Sequence, residues 1–481
     1  MSEMEHDTVN IDLKSNKMSK VHIVGIGGAG MSAIAVVLNR MGFNVVGSDL
    51  KASHVTERLE ALGIKVSVPH NKESIDNSVS LVVISTAIDK AVNEEVLKAE
   101  ELGLQVACRA DMLAAICKIE NAVGVSGSHG KTTTTSMVTA IARAGDLNPS
   151  FMIGGDVNEI GTNAQYNENS ILIVEADESD RTFLRLPLKG AIVTNIESDH
   201  LENYGGAFDQ LQDSFLEFIN KVEGPVVICI DEPNSKRISE QASLTRNVIT
   251  VGKTEADFTY EIIEAGRGGI SAHIACPNDQ TIKIELAVPG VHNIKNAICA
   301  LALMAELEVT YEDCVRGLAS FGGVARRFQF RGQTRGITFV DDYAHLPSEI
   351  EATLNAAKDG GFRKIVSIFQ PHRYSRTQAQ YKEFAKSLMP SDVVALCDVY
   401  SAGETPRQGV TGNLIVEEMK AMGHENVFFV KHIDEVIRFV DDHAEPEDIV
   451  LTMGAGDVTM YSDVIQNTFL QISSNVAKPR L

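Results

Sequence analysis

The stretch "VGVSGSHGKTTTTSMVTAIA", Val123–Ala142, decides how the rest of this sequence is read. An apolar run leads into two glycines, a Lys-Thr pair and a helical pattern, the strand–loop–helix context of a phosphate loop. The usual G-x-x-x-x-G-K-[ST] spacing fails, because position 125 is valine and Gly124 stands one place too early. Gly127, Gly130, Lys131 and Thr132 survive, so the mismatch concerns only the start of the loop. Successive backbone N–H groups, through Ser128 and His129 to Thr133, can cradle phosphate oxygens at the helix N-terminus. Lys131 can bridge the terminal phosphates of ATP, and the Thr132 hydroxyl can ligate Mg²⁺. A plain glycine-serine turn before a helix leaves the Lys-Thr pair unexplained.

Outward from this loop, short Val/Ile-rich runs alternate with helical patterns: "VHIVGI", "NVVGSD", "LVVIST", "ILIVEAD", "AIVTNI", "PVVICI", "ITFVDD", "KIVSIF", "DVVALC" and "DIVLTM". Continuous apolar strands with helical spacers predict an α/β fold whose parallel strands are covered on both faces. The stretch Asp257–Gly290 instead alternates and turns like an antiparallel sheet. Three blocks follow, over residues 19–120, 121–324 and 325–481, behind a polar, flexible extension over 1–18.

Composition bounds the function. The net charge of −22 argues against nucleic acid or an anionic membrane surface as partner. Seven cysteines without a CxxC pair fit a reducing compartment. No apolar run approaches the roughly 18 to 20 residues of a membrane helix, and the N-terminus has no apolar signal region. The expectation is a cytoplasmic protein without membrane insertion.

Other strand ends carry candidate chemistry. Gly25-Ile26-Gly27-Gly28-Ala29-Gly30 follows a strand and opens a helix, suited to a diphosphate, with Asp49 placed as a ribose acid. The ligand there is a dinucleotide or a nucleotide-sugar. Glu175 and Asp177 end the strand "ILIVEAD", and His200 follows "AIVTNI"; carboxylates beside a phosphate loop suit a metal, whereas histidine is an unusual Mg²⁺ ligand. Asn293 stands at a loop-to-helix junction, as a helix cap or an adenine contact. In the third block, Arg326 and Arg327 mark a boundary. Asp341, Asp342, Tyr343 and His345 end one strand, and His372, Arg373 and Arg376 end the next. Basic side chains at strand C-termini suit a small carboxylate, which arginine can hold bidentately. Three such crevices exceed what a kinase needs. They fit a ligase that makes an acyl phosphate and lets an amine attack it.

The motifs "GIGGAGMSAIA", "GSHGKTTTT", "EADESD", "NIESDH", "PGVHNIKNA", "ARRFQ", "DDYAHLPSEI", "QPHRYSRT" and "LTMGAGD", in this order, resemble the Mur ligases of peptidoglycan synthesis over nearly the whole chain after residue 18. The resemblance implies three domains: a Rossmann-like N-terminal domain, a P-loop central ATPase-type domain with a mixed sheet, and a Rossmann-like C-terminal domain. The implied substrates are UDP-N-acetylmuramate, ATP and L-alanine, with Mg²⁺ (or Mn²⁺) as the metal and a monomer or homodimer as the assembly. Gly27, Gly28, Ala29, Gly30, Met31, Ser32, Asp49, Ser85 and Thr86 would hold the UDP-sugar. Lys131 would contact the terminal phosphates, Thr132 and Glu175 one metal ion, and His200 a second; Lys131, His200, Arg373 and Arg376 would carry catalysis. Asn293 would meet adenine, and Arg327 and Asp342 would reach ATP. Tyr343, His345, His372, Arg373 and Arg376 would line the amino-acid side. The family's loop begins G-[ST]-x-G-K-T-T, so the absent first glycine is normal for it. One departure is Leu346 and Ser348, where the family pattern has histidine and threonine. A murein peptide ligase, a simple P-loop kinase and a non-catalytic nucleotide-sugar-binding regulator are the alternatives. The intact Lys131, Thr132, Glu175 and His200 count against the last.

Overall fold

The computed structural model describes residues 11–13, 19–157, 162–199 and 201–476. The predicted metal ligand His200 and most of the 1–18 extension lie outside these residues. Leu13, inside that extension, is buried in the first core, so this part of the extension is folded in.

The described residues form three sheets. The first takes β1 (Lys20–Val24), β2 (Asn44–Ser48), β3 (Lys65–Ser67), β4 (Val79–Ile84) and β5 (Gln105–Cys108) in the order β3-β2-β1-β4-β5. All its pairs are parallel, linked through α1 (Ala29–Arg40), α2 (His54–Ala61), α3 (Glu94–Glu101) and α4 (Arg109–Cys117). The order reverses between β1 and β4, and such a switch opens a crevice at the strand C-termini. The Gly25–Gly30 turn follows β1 there, and Ser85 follows β4.

The second sheet has ten strands in the order β15-β14-β13-β12-β11-β10-β6-β9-β7-β8. They are β6 (Asn121–Ser126), β7 (Ser150–Val157), β8 (Thr162–Gln165), β9 (Ile171–Glu175), β10 (Gly190–Val193), β11 (Val226–Cys229), β12 (Ile249–Gly252), β13 (Phe258–Gly266), β14 (Gly269–Cys276) and β15 (Gln280–Leu286). Its helices are α5 (Lys131–Ala144), α6 (Phe208–Lys221), α7 (Pro233–Ala242), α8 (Val291–Glu306) and α9 (Tyr311–Ala319). The phosphate-loop strand β6 lies between β10 and β9 and is buried from Ala122 to Ser126, as a parallel strand covered on both faces must be. At the far end, two residues link β13 to β14, a link too short for anything but an antiparallel pair. β14 accordingly alternates buried and more open positions.

The third sheet runs β16-β17-β21-β18-β19-β20. Its strands are β16 (Gln329–Thr334), β17 (Ile337–Asp342), β18 (Ile365–Phe369), β19 (Val393–Leu396), β20 (Val427–Phe429) and β21 (Ile449–Met453), with α10 (Pro347–Asp359), α11 (Tyr374–Leu388), α12 (Asn413–Ala421), α13 (Ile433–His443) and α14 (Tyr461–Val476). Only the β16–β17 pair is antiparallel. Pro347 stands at the first position of α10, where its missing N–H leaves no bond unmade.

By compactness the chain divides into two units. One holds residues 1–261, 273–284 and 295–321, and the other 262–272, 285–294 and 322–481. Six of the seven cysteines are buried and Cys108 is partly exposed. No helix among the described residues is long and apolar enough to cross a membrane.

Candidate active site

The phosphate loop is shaped by close approach. Gly124 is a packing glycine inside β6: a Cβ there would meet Leu188 Cδ1 at 2.5 Å. That accounts for the glycine one place early, since it serves the strand and not the loop. Gly127 has φ +129°, and its Cβ would fall 2.2 Å from Thr194 Oγ1. The loop closes at Gly130, the left-handed residue before α5.

The residues after β10 brace this loop. Ser128 N–H donates to Asn195 O (3.2 Å). His129 N–H donates to Asn195 Oδ1 (2.8 Å), and Asn195 Nδ2 and Thr194 Oγ1 donate to His129 O (3.1 and 2.5 Å). Glu197 N–H donates to Ser128 Oγ (2.9 Å), and the His129 ring faces the Glu197 carboxylate at 3.3 Å. The first turn of α5 has no preceding helical carbonyls, so its amides stay open to an anion. Behind them, Thr135 and Ser136 hydroxyls bond back to the carbonyls of Lys131 and Thr132, both at 2.8 Å.

Lys131 Nζ donates to Gly127 O (2.6 Å) and pairs with Glu178 Oε1 (2.9 Å). Burial works against its charge, and the carboxylates of Glu178, Asp177 and Glu175 outweigh it, so the ammonium is held. Burial pushes the Glu178 carboxyl up while Lys131 pulls it down, and Glu178 Oε2 is buried with no hydrogen-bond partner among the described residues. Glu175 accepts from Gly154 N–H (2.7 Å), and burial raises its pKa although Gly154, Thr132 and Lys131 oppose the shift. Thr132 and Glu175 are therefore in contact beside Lys131. Asp177 accepts from Ser179 N–H (3.0 Å); its pKa is lowered despite burial, chiefly by Lys131. Among the described residues no group of three or more His, Cys, Asp or Glu has a metal-holding arrangement. An oxygen pair such as Thr132 and Glu175 suits Mg²⁺, which takes few protein ligands and draws others from phosphate and water.

At the first sheet, Gly27 N–H donates to Asp49 Oδ2 (2.8 Å), and Gly25 N–H donates to Ser48 O (2.9 Å). Asp49 thus ties down the glycine turn at the C-terminal end of β2. Ser85 N–H donates to Val24 O (3.1 Å), which brings Ser85 and Thr86 beside that turn. Gly28 caps α1, and Ala29 and Gly30 form its first turn. Met31 and Ser32 are buried, and Ser32 Oγ donates to Ala29 O (3.0 Å). Asn293 is not the cap of α8. It lies within the first turn, and its Nδ2 donates back to Pro289 O (2.6 Å).

The third sheet gathers the other predicted residues at its strand C-termini. Asp342 is buried, accepts the Phe328 and Ala344 amides (both 2.7 Å), and is pushed up to about 6 by burial, against the pull of Arg327. Asp341 is structural: fully buried, it accepts the Thr452 and Thr459 hydroxyls (2.8 and 2.6 Å). The Arg326 and Arg327 guanidinium groups lie 4.8 and 5.3 Å from the centre of the Tyr343 ring. His345 Nδ1 faces Tyr343 O (3.0 Å) and Glu349 Oε2 (3.1 Å), which fixes the proton on Nδ1 and leaves Nε2 for a ligand. His372 stacks on Tyr400 (5.7 Å, 9°) and lies 5.8 Å from the His345 ring. Burial, with His345, Arg376 and Arg373 nearby, holds His372 down at about 4, so it is neutral at pH 7. Arg373 adopts φ +70°, a conformation costing about 1–3 kcal/mol that its surroundings must impose. Its N–H donates to Tyr400 O (2.8 Å). Glu404 anchors the start of α11 through Ser375 N–H (2.9 Å). Leu346, at the position of the family's second histidine, is buried.

Sequence reasoning singled out neither the braces Thr194, Asn195 and Glu197 nor the partners Glu178, Glu349, Tyr400 and Glu404. The first three follow a strand that neighbours the loop strand, which is the signal that could have found them.

Three family models match in succession: the Mur ligase family catalytic domain over residues 20–120, the Mur ligase middle domain over 125–304, and the Mur ligase glutamate ligase domain over 326–456. A UDP-N-acetylmuramate–L-alanine ligase from Desulforamulus reducens is 42% identical over 447 residues, covering 92% of this chain and 96% of that one. The chain belongs to the Mur ligase family. A second relative of the same name, from Geotalea daltonii, is 42% identical over 446 residues, with 92% and 96% covered. The crystal structure of the Mur ligase MurC from Thermotoga maritima, a UDP-N-acetylmuramate-alanine ligase, matches with a TM-score of 0.79 and 29% identity, covering 95% of this chain and 99% of that one. A murein peptide ligase from Psychrobacter arcticus shares the fold at a TM-score of 0.68 and 21% identity, over 96% and 100% of the two chains.

Proposed function

We propose that this Mur ligase joins L-alanine to the carboxylate of UDP-N-acetylmuramate at the expense of ATP, in peptidoglycan precursor synthesis. One observation carries the reading. A chain 42% identical to L-alanine ligases over almost its whole length holds both a lysine-bearing phosphate loop and a separate imidazole–guanidinium cluster. A kinase has no use for the second.

In this reading a muramate carboxylate oxygen attacks the γ-phosphorus of ATP, the bond to the bridging oxygen breaks, and ADP leaves. The alanine amine then attacks the carbonyl carbon of the acyl phosphate. The carbon–oxygen bond breaks, phosphate leaves, and the nitrogen gives up one proton, which the departing phosphate takes, as the amide forms with its remaining N–H. Lys131 and the α5 amides neutralise charge on the transferring group. Thr132 and Glu175 would hold Mg²⁺, which supplies further charge neutralisation when bound. The Gly25–Gly30 turn takes the diphosphate of the sugar nucleotide. Arg373 and Arg376 hold the alanine carboxylate, with Nε2 of His345 and the neutral His372 as hydrogen-bonding groups beside it. Asn293, Arg327 and Asp342 remain assigned to the nucleotide on the family motifs.

The test is phosphate release with UDP-N-acetylmuramate, ATP and Mg²⁺, with and without each amino acid. L-Alanine is expected to give the fastest release, and the recycled tripeptide of a murein peptide ligase none. Release that ignores the amino acid overturns the ligase reading.

A further inference from the structure

Arg109 opens α4 and belongs to neither of the sites its neighbours form. Its guanidinium lies against the first turn of α1: a Cβ on Gly30 would come within 3.4 Å of both Arg109 Cδ and Nη1. The last glycine of the turn therefore leaves room for an arginine beside the place of the diphosphate. The other end of the same group reaches the second sheet. Nη2 donates to Asp180 Oδ2 (2.6 Å), approaches Thr182 Oγ1 (3.5 Å) and faces Asp177 Oδ2 (3.7 Å). Asp177 and Asp180 flank Glu178, the partner of Lys131. A second link joins the same elements: Asn163 of β8 donates to Ala29 O in the first turn of α1 (3.3 Å) and accepts from Arg58 (2.9 Å).

We propose that Arg109 is a positioning residue through which the sugar-nucleotide site and the phosphate-loop site act on each other. The inference rests on the functional reading above. An anion arriving at the first turn of α1 draws Nη1, while Nη2 keeps the Asp177–Asp180 turn, and with it Glu178, in the place that presents Lys131. One cation shared between an incoming anion and a carboxylate turn makes the order of each site depend on the other. Coupling of this kind is reciprocal and commonly worth about 5–150-fold in affinity. The anion is a phosphate or a carboxylate of the same substrate, and the two are separable by ligand.

The experiment titrates a non-hydrolysable ATP analogue by calorimetry, with and without UDP-N-acetylmuramate. It uses the full chain, Arg109→Ala, Arg109→Lys and the control Arg185→Ala. Arg185 pairs with Asp111 (2.6 Å) in the same unit, so its loss reports a merely structural effect. The wild type is expected to bind the analogue at least about fivefold tighter with the sugar nucleotide present. Arg109→Ala is expected to lose that factor while its affinity for the analogue alone stays within about threefold. Arg109→Lys should keep part of the factor and Arg185→Ala all of it. Should Arg109→Ala fail to fold, Arg109→Lys, with a factor reduced at least about twofold, carries the test. An unchanged factor in the Arg109 variants, an equal loss in Arg185→Ala, or no factor in the wild type overturns the proposal. Repeating the titration with UDP and with UDP-N-acetylglucosamine assigns the anion. If both still couple, the diphosphate draws Arg109; if only UDP-N-acetylmuramate couples, the carboxylate does. Alanine-dependent phosphate release by the wild type, measured in parallel, separates failure of this inference from failure of the functional reading.

Discussion

The phosphate loop and the third sheet's basic cluster both present groups that suit an anion, by opposite means. The loop uses backbone. The amides of the first helical turn have no helical partners, glycine permits close approach, and Thr194, Asn195 and Glu197 brace the loop. The cluster uses side chains delivered from several strand ends, with His345, His372 and Tyr400 in ring contact and Arg373 held at φ +70°. A backbone site tolerates almost no change of shape, whereas a side-chain site tolerates changes of shape and not of charge or fork geometry.

The two sites can be told apart at four points. Lys131→Ala should lower alanine-dependent phosphate release the most, by about 10²–10³-fold, because it removes charge stabilisation at the transferring phosphoryl group. A coupled assay checks this, and unchanged ATP turnover would sink the ligase mechanism. Gly127→Ala puts a Cβ 2.2 Å from Thr194 Oγ1 at φ +129°. It should cost about 2–3 kcal/mol of stability and abolish ADP binding. Its counterpart, Arg373→Lys, should leave stability alone and raise the KM for L-alanine by about tenfold, the loss of one bidentate contact. Were Gly127→Ala silent and Arg373→Lys unfolded, the contrast would be reversed. Urea titrations and steady-state kinetics decide.

The third point concerns pH inside the cluster, where two groups have opposite slopes. His372 titrates at about 4 in the fold against an ordinary 6.5, so the unfolded chain takes the proton first. Its contribution is present above about 6.5 and lost as pH falls toward 4. Asp342 titrates at about 6 against an ordinary 3.8, so the folded protein takes the proton first and gains stability as pH falls through that window. Between pH 7 and 4.5, His372→Gln should gain, and Asp342→Asn should lose, roughly 2 kcal/mol relative to wild type. Parallel slopes in the two variants would contradict the assignment. The smallest effect is expected of Asn195→Ala, about 1–2 kcal/mol at any pH from two lost braces of the loop, with nucleotide affinity lowered and alanine KM unchanged.

The same contrast governs what could be read from sequence. Gly127, Gly130, Lys131 and Thr132 fall in one short stretch because a backbone site must be built from residues near in sequence. The Val/Ile runs announced their parallel strands because burial on both faces leaves no polar positions. Glu178, Glu349 and Tyr400 escaped because each acts on a group distant in sequence, or on one that only helix geometry brings round. Gly124 was read as a glycine one place too early, and packing against Leu188 shows that it belongs to the strand. Asn293 was singled out as a cap or an adenine contact, and the cap falls away because the helix begins two residues earlier.

The buried cysteines give the molecule its own stopwatch. A thiol reagent offered to the native protein should find chiefly Cys108, the partly exposed one. Cys117, Cys229, Cys276, Cys299 and Cys314 lie in the unit that carries the phosphate loop, and Cys397 lies in the other. Burial also pushes the Cys117 and Cys397 thiols up to about 12, so neither reacts before it meets water. Labelling times read by mass spectrometry would therefore clock the opening of each unit separately, without adding a probe.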